Sequence, residues 1–293
     1  MGGKRRDQTL SREDRSRLGA HYTGSEWARA ITARGLQPLL NWPEAMQCPR
    51  CNPSVSLENL LVVDPACGDG EFLLAAADLL SPLLLEAYTL EGTPCSSAEA
   101  RARIVKSCLV GVDVDPGAVE AARERLGPDT RLHCADALLD WTLKTDGRPT
   151  AFIGNPPYLG GGKISGKLGT AYQQRLLKAY PSSNGGADLA TYFFLRAFDL
   201  LEAGGSLGTV SFVATNTISQ GRTREAGLGY LLQQRGAWIY CADRDLKWPG
   251  EAKVTVSVVH LAENKLARRL WPAGLRERAK TFPAAWPATG DRE

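Results

Sequence analysis

Segments of strand length alternate with segments of helical periodicity from residue 59 to residue 262, and this alternation limits the possible fold more than any other feature. A short β-branched run at 59–63 precedes a helical pattern that begins near Glu71, and an apolar run at 108–115 precedes a helix at 117–126. Parallel strands need a crossover connection, which is usually a helix. We therefore predict an α/β fold with a doubly wound, mostly parallel sheet of about seven strands.

The composition is typical of one globular domain, because 43% hydrophobic residues in 293 can fill a sizeable core. No uninterrupted apolar run reaches membrane-spanning length, and residues 1–18 are charge-dense without the apolar segment of a signal peptide. We expect a mobile basic arm at 1–18, a cytoplasmic location and no membrane contact. The formal net charge of +3 permits a polyanionic partner without requiring one.

The seven cysteines are scattered along the chain, which favours reduced thiols over a disulfide framework. Cys48 and Cys51 have the spacing of half a zinc knuckle. Neither a second cysteine pair nor a histidine pair follows them, so a surface loop is the simpler interpretation. We predict no metal site.

A glycine-rich turn from Asp64 to Gly70 connects the first strand to its helix. Such a turn lets the backbone approach a bound cofactor. The turn contains neither the GxGxxG pattern of dinucleotide sites nor the GxxxxGK[ST] pattern of phosphate sites, which disfavours NAD and ATP. The remaining common ligand is a nucleoside that carries an amino acid.

Two carboxylates follow the next strands, and together they define the two ends of a nucleoside site. Asp113 ends the second strand, from where a carboxylate can accept hydrogen bonds from both ribose hydroxyls. Asp136 ends the third strand and can accept from an adenine amino group. Asp115 stands before a helix and is more simply its cap.

The most specific signal is the run Asn155, Pro156, Pro157 and Tyr158, directly after an apolar strand. Two prolines cannot extend a strand, so the backbone leaves the sheet with an exposed carbonyl beside the Asn155 amide and an aromatic ring. The amide oxygen and the Pro156 carbonyl can each accept one N–H of a planar amine, which directs the nitrogen lone pair out of the ring plane. Tyr158 can stack on the ring that bears this amine.

The segments DPACGDGEF, VGVDVD, CADALL and NPPY, in this order and after GAHYTG, resemble those of gamma-class DNA amino methyltransferases. The sequence after NPPY looks most like the methyltransferase part of single-chain restriction-modification enzymes of types IIL and IIG. The resemblance covers residues 19–262 and leaves 263–293 as a basic tail. It implies a Rossmann-like class I fold, S-adenosyl-L-methionine as the cofactor, and the N6 amino group of adenine in DNA as the target.

Carried over by position, the resemblance also implies which residues form the site. The cofactor-binding residues are Tyr22, Thr23, Asp64, Ala66, Cys67, Gly68, Gly70, Asp113 and Asp136. The target-binding residues are Asn155, Pro156, Pro157 and Tyr158, and Trp248 is a candidate for the other face of the target base. Gly24 stands where the family usually has proline, which is expected to loosen the turn.

The segment from Leu159 to Gly169 is rich in glycine and contains Lys163 and Lys167, so we expect a basic loop that holds the DNA backbone and closes over the site. A base inside a duplex cannot present its amine to a pocket, so a DNA substrate implies base flipping. About thirty residues follow His260. Sequence recognition is therefore expected from a protein partner or a separate module.

Two other functions stay open at this point. An Asn-Pro-Pro-Tyr clamp also suits methylation of a protein glutamine amide or of RNA adenine, although GAHYTG and DPACGDGEF favour DNA. A non-catalytic subunit could retain the fold, but Asn155 and Asp113 are both intact. Cys67 lies in the cofactor turn rather than in the target motif, so we do not expect a cysteine nucleophile.

Overall fold

The structure, a computed structural model, describes residues 23–40, 52–183, 185–248 and 255–270. The predicted arm at 1–18, Tyr22, Cys48, Cys51 and the tail from residue 271 onwards lie outside the described residues.

A seven-stranded sheet forms the centre of the fold. Its strands are β1 (Leu61–Asp64), β2 (Leu109–Asp113), β3 (Arg131–Cys134), β4 (Thr150–Gly154), β5 (Gly208–Thr215), β6 (Trp238–Lys247) and β7 (Thr255–Ala262). Their order is β3-β2-β1-β4-β5-β7-β6, and only β7 runs antiparallel to its two neighbours. The predicted strand number and mostly parallel arrangement are confirmed. β1 and β4 are buried along their whole length, as expected of strands covered on both faces.

Helices and turns connect the strands and cover both faces of the sheet. They are α1 (Ser25–Leu40), α2 (Pro53–Glu58), α3 (Glu71–Leu90), α4 (Ser97–Cys108), α5 (Pro116–Leu126), α6 (Gly161–Leu168), α7 (Thr170–Ala179), α8 (Leu189–Ala203), a 3-10 turn (Asn216–Ser219), α9 (Gly221–Arg224), a π-helical turn (Glu225–Gly229), α10 (Tyr230–Gln234) and α11 (Asn264–Leu270). In α1, Trp27, Ile31 and Leu36 are buried at helical spacing against the core. In α11, Leu266 and Ala267 are buried, so the packed fold continues past residue 262.

Helix α4 was not predicted from the sequence, because its composition is largely polar and its apolar stripe is narrow. A local signal for its start is present. The Ser96 hydroxyl accepts the Glu99 N–H at 3.2 Å, and the Glu99 carboxylate accepts the Ser96 N–H at 2.8 Å. This reciprocal pair is a capping box, whose Ser-x-x-Glu pattern is readable in the sequence.

Helix α3 is the one helix among the described residues that is long and apolar enough to cross a membrane by length and composition. In this fold it is a core helix. Leu73, Leu80 and Leu84 have no exposed surface, and the helix packs against α1 and α4.

The predicted loop at 159–169 is wrong, because residues 161–168 form α6. A Cβ at Gly161 would lie 2.4 Å from the backbone carbon of Gly186, so this glycine allows the helix to start against another chain segment. Ile164, one turn on, is fully buried. Close packing therefore explains why residue 161 is glycine, whereas a side chain at Gly162 or Gly166 would extend into open space.

Candidate functional site

A cavity of about 600 Å³ lies at the carboxyl edge of the sheet. The chain runs outward from β1 through β2 to β3 and then returns to the other side of β1 with β4. A doubly wound sheet places its ligand crevice at such a reversal, outside the carboxyl ends of the strands. The cavity wall combines Thr23, the turn at 65–69, residues after β2 and β3, and Asn155 after β4.

The turn after β1 forms the floor of the cavity and uses two glycines with positive φ. Gly68 has φ 53° and Gly70 has φ 88°, a region that favours glycine. A Cβ at Gly70 would lie 3.2 Å from the Cβ of Ala122, so Gly70 also brings the start of α3 close to α5. Gly70 thus shapes the turn, while Ala66, Cys67 and Gly68 line the cavity.

The Asp113 carboxylate is held by two backbone amides. Its Oδ2 accepts the Gly68 N–H and its Oδ1 accepts the Asp115 N–H, both at 2.9 Å. Burial raises its pKa, and these hydrogen bonds oppose that rise. Asp115 accepts the Gly117 N–H at 2.9 Å and caps α5, the simpler role predicted for it.

Asp64 ends β1 beneath the turn and is 1% exposed. Its Oδ1 accepts the Ala66 N–H at 3.1 Å, whereas its Oδ2 has no hydrogen-bond partner among the described residues. Burial raises the pKa of this carboxyl from 3.8 to about 8. A Cβ at Gly154 would lie 2.4 Å from Oδ1, so only glycine lets the end of β4 pass this close to Asp64.

Asp136 lines the cavity beyond β3, and its Oδ1 accepts the Leu138 N–H at 2.8 Å. Tyr172 of α7 faces it across the cavity wall, and burial together with the Asp136 carboxylate raises the pKa of the Tyr172 hydroxyl. Leu189 and Phe193 of α8 complete this apolar side. These three residues were not predicted from the sequence, because helical periodicity reveals a buried face but not the cavity that it faces.

The Asn155 amide is held between two hydroxyl groups. Its Nδ2 donates to Thr23 Oγ1 at 3.1 Å, and the Tyr158 hydroxyl donates to its Oδ1. Asn155 and Pro157 line the cavity, whereas Pro156 and Tyr158 are not part of its wall. Tyr158 is 8% exposed, and burial raises the pKa of its hydroxyl. The motif predicted to bind the target therefore meets the turn predicted to bind the cofactor at one cavity.

Lys163, Lys167 and Trp248, which were also predicted as site residues, are not part of the cavity wall. Lys163 and Lys167 are exposed on α6. Trp248 is 6% exposed and packs against Trp27 with ring centroids 5.3 Å apart, outside the cavity wall.

Burial and the Asp64 carboxylate raise the pKa of the Cys67 thiol well above its usual value, which keeps it protonated. No group of three metal-ligating side chains occurs among the described residues.

Three solved structures resemble this chain at sequence identities of 20% or less, so the resemblance shows a shared fold. The type IIL restriction-modification enzyme MmeI, in complex with DNA, has 20% identity and a TM-score of 0.63 over 86% of this chain and 38% of its own. The DrdV–DNA complex has 17% identity and a TM-score of 0.53 over 85% and 27%. A putative class I methyltransferase from Listeria monocytogenes has 13% identity and a TM-score of 0.51 over 82% and 60%.

The sheet and its covering helices form the class I methyltransferase fold, and the match to a methyltransferase family model supports S-adenosyl-L-methionine as the cofactor. Residues 126–272 match the family model of the MmeI DNA-methyltransferase domain, which is half of the chain, and the chain belongs to this family. The resemblance to restriction-modification methyltransferases is thereby confirmed. No curated protein matches the sequence. The chain spans about a third of the length of the MmeI and DrdV chains that it resembles.

Proposed function

We propose that this chain transfers a methyl group from S-adenosyl-L-methionine to the N6 amino group of adenine in DNA, in a restriction-modification or phage-defence system. The observation that carries this proposal is the Asn155 amide, held by two hydroxyl groups at the wall of the cofactor cavity. An amine-binding group beside a methyl-donor site is the arrangement that amino methylation needs, and the position of Asn155 supports the proposal for this reason.

The residues of the cavity fit the cofactor. Asp113 and Asp136 would hold its ribose and adenine, and Thr23 with the turn at 66–68 would hold its methionine part. The carboxylates of Asp113 and Asp136 at the cavity wall suit a ligand that carries hydroxyl and amino donors. The bound cofactor supplies an electrophilic methyl group on a sulfonium.

Asn155 Oδ1 and the Pro156 carbonyl would each accept one N–H of the target amine. These hydrogen bonds draw the nitrogen lone pair out of conjugation with the base and direct it at the methyl carbon. The cofactor would supply the methyl group and leave as S-adenosylhomocysteine, and the methylated nitrogen would release its extra proton to water. The attack needs no enzyme nucleophile, which agrees with the protonated Cys67 thiol.

The DNA would approach the carboxyl edge of the sheet, because Asn155 lies there. Lys163 and Lys167 are exposed on the helix that follows Tyr158, and Arg222 and Arg224 are exposed after the end of β5 at the same edge. Exposed cations at this edge suit phosphate contacts, which position DNA without reading its sequence. The target adenine would leave the duplex and enter beside Asn155.

We propose further that a protein partner or separate module supplies sequence recognition. The described residues form one sheet and the helices and turns that connect and cover its strands. Direct readout needs a set of side chains that reach base edges in a groove, which a partner or a further module would supply.

Transfer of a labelled methyl group to three acceptors tests the proposal. Purified chain, alone and with the proteins encoded beside its gene, is incubated with labelled cofactor and with unmethylated DNA, RNA or a release-factor protein. The proposal expects label in DNA, and the Asn155→Ala variant controls for host enzymes. Label in RNA or protein but not in DNA would show that DNA is not the substrate and would contradict the proposal.

A further inference from the structure

The two hydroxyl groups that hold Asn155 come from separate parts of the chain. Thr23 precedes α1, is 5% exposed and lines the cavity, while Tyr158 lies three residues after Asn155. Thr23 Oγ1 accepts from the amide nitrogen, and the Tyr158 hydroxyl donates to the amide oxygen. Both ends of the amide are therefore in contact with a hydroxyl group.

An asparagine amide is nearly symmetric in shape but opposite in hydrogen bonding at its two ends. Its oxygen accepts two hydrogen bonds and its nitrogen only donates. A half-turn about the last side-chain bond would present N–H groups to an incoming amine, which also carries N–H groups. Recognition of an amine therefore depends on which way the Asn155 amide points, as well as on where it lies.

In the structure, the neighbouring hydroxyl groups hold the amide with its oxygen at Tyr158 and its nitrogen at Thr23. Tyr158 is buried, and burial keeps its hydroxyl protonated by raising its pKa, so it is available as a donor. A hydroxyl donor satisfies the amide oxygen. The Thr23 hydroxyl accepts from Nδ2, so it satisfies the nitrogen end.

We infer that Thr23 and Tyr158 are positioning residues that hold the Asn155 amide in place at the cavity wall, so that its oxygen can accept from the target amine. This inference rests on the proposed amino methylation and adds a function for two hydroxyl groups. Thr23 then serves the target side of the cavity as well as the cofactor side to which the sequence assigned it.

Matched substitutions separate the hydroxyl groups from the shapes of the side chains. Thr23→Val keeps the shape of Thr23 and removes its hydroxyl, whereas Thr23→Ser keeps the hydroxyl. The loss of one neutral hydrogen bond predicts that kcat of Thr23→Val, measured at saturating cofactor, falls by about threefold to tenfold. Thr23→Ser is expected to retain turnover near that of the wild type.

Three outcomes would overturn this function for Thr23. Wild-type turnover of Thr23→Val would show that the hydroxyl is not needed. Equal losses in Thr23→Val and Thr23→Ser would indicate a steric effect. A loss confined to cofactor affinity would make Thr23 a cofactor ligand only.

A double-mutant cycle tests whether Thr23 acts through Asn155. If it does, Thr23→Val has no further effect on turnover in an Asn155→Ala background, and Tyr158→Phe behaves in the same way. Additive losses would show that the hydroxyl groups act independently of the amide and would contradict the inference.

Hydrogen exchange of the Asn155 side-chain amide, followed by NMR, tests the inference without methyl transfer. The Nδ2 protons are expected to exchange more slowly in the wild type than in Thr23→Val, with Thr23→Ser close to the wild type. Unchanged exchange in Thr23→Val would overturn the inference. If exchange responds as expected but no DNA is methylated, the positioning contacts stand and the proposed function fails.

Discussion

The two halves of the cavity hold their functional groups in different ways. On the cofactor side, backbone amides hold the carboxylates: Gly68 and Asp115 donate to Asp113, and Leu138 donates to Asp136. On the target side, the side chains of Thr23 and Tyr158 hold the Asn155 amide. The cofactor half is thus fixed by local backbone geometry, whereas the target half depends on side chains that single substitutions can remove.

The largest expected effect concerns Asp64, the buried acid of the cofactor half. Its folded-state pKa of about 8 lies above its value in the unfolded chain, so its contribution to stability is present below about pH 4 and is lost as pH rises through 8. In the cofactor-free protein, Asp64→Asn should remove this dependence. The wild type should lose stability between pH 4 and pH 8 while Asp64→Asn does not. The free energy of unfolding of the variant minus that of the wild type should therefore increase by on the order of 5 kcal/mol over this range.

Chemical denaturation at several pH values measures this difference. Asp129→Asn, at an exposed aspartate, is the matched control and should show almost no pH-dependent difference from the wild type. A constant difference between Asp64→Asn and the wild type across this range would show that Asp64 is ionised in the folded protein.

The next largest effect is expected in the target half. Asn155→Ala should lower turnover by on the order of 10² or more, because it removes an acceptor that acts on the reacting amine. The affinity for S-adenosylhomocysteine, measured by calorimetry, should stay close to that of the wild type. Near-normal methylation by this variant, in a preparation free of host enzyme, would contradict the mechanism.

The same division explains which features the sequence could predict. Asp113 and the glycine turn lie within or beside the strands that position them, so the strand pattern and the turn locate them directly. The contact between Thr23 and Asn155 joins positions 132 residues apart and leaves no local pattern. The helix at 161–168 was predicted as a loop for a similar reason, because the approach of Gly161 to Gly186 is a tertiary contact.

Tyr158 should have a smaller effect, which depends on the ring more than on the hydroxyl. Tyr158→Ala removes the predicted stacking surface and should cost about 1 to 3 kcal/mol of base binding. Tyr158→Phe keeps the ring and should lose only the contribution of the hydroxyl to turnover. Fluorescence of 2-aminopurine at the target position of a duplex measures the binding of the flipped base, and equal signals from wild type and Tyr158→Ala would contradict stacking.

The smallest effects are expected from the exposed cations of α6. Lys163→Gln and Lys167→Gln should each weaken binding to unrelated duplexes by a similar factor and reduce the slope of log affinity against log salt by about 1. Binding is measured at several salt concentrations, with Lys106→Gln on α4 as the control. Strong preference of the chain alone for one sequence at high salt would show that recognition lies within these 293 residues.

The chemical identity of the methylated nucleoside distinguishes adenine methylation by this chain from the other possible reactions. Duplex DNA is treated with cofactor and the chain, with its genomic neighbours where needed, then digested to nucleosides and analysed by mass spectrometry. The proposed clamp predicts N6-methyl-2′-deoxyadenosine with the wild type and a loss on the order of 10² with Asn155→Ala. Methylated cytosine in place of methylated adenine, or equal N6-methyladenine from both proteins, would contradict the account.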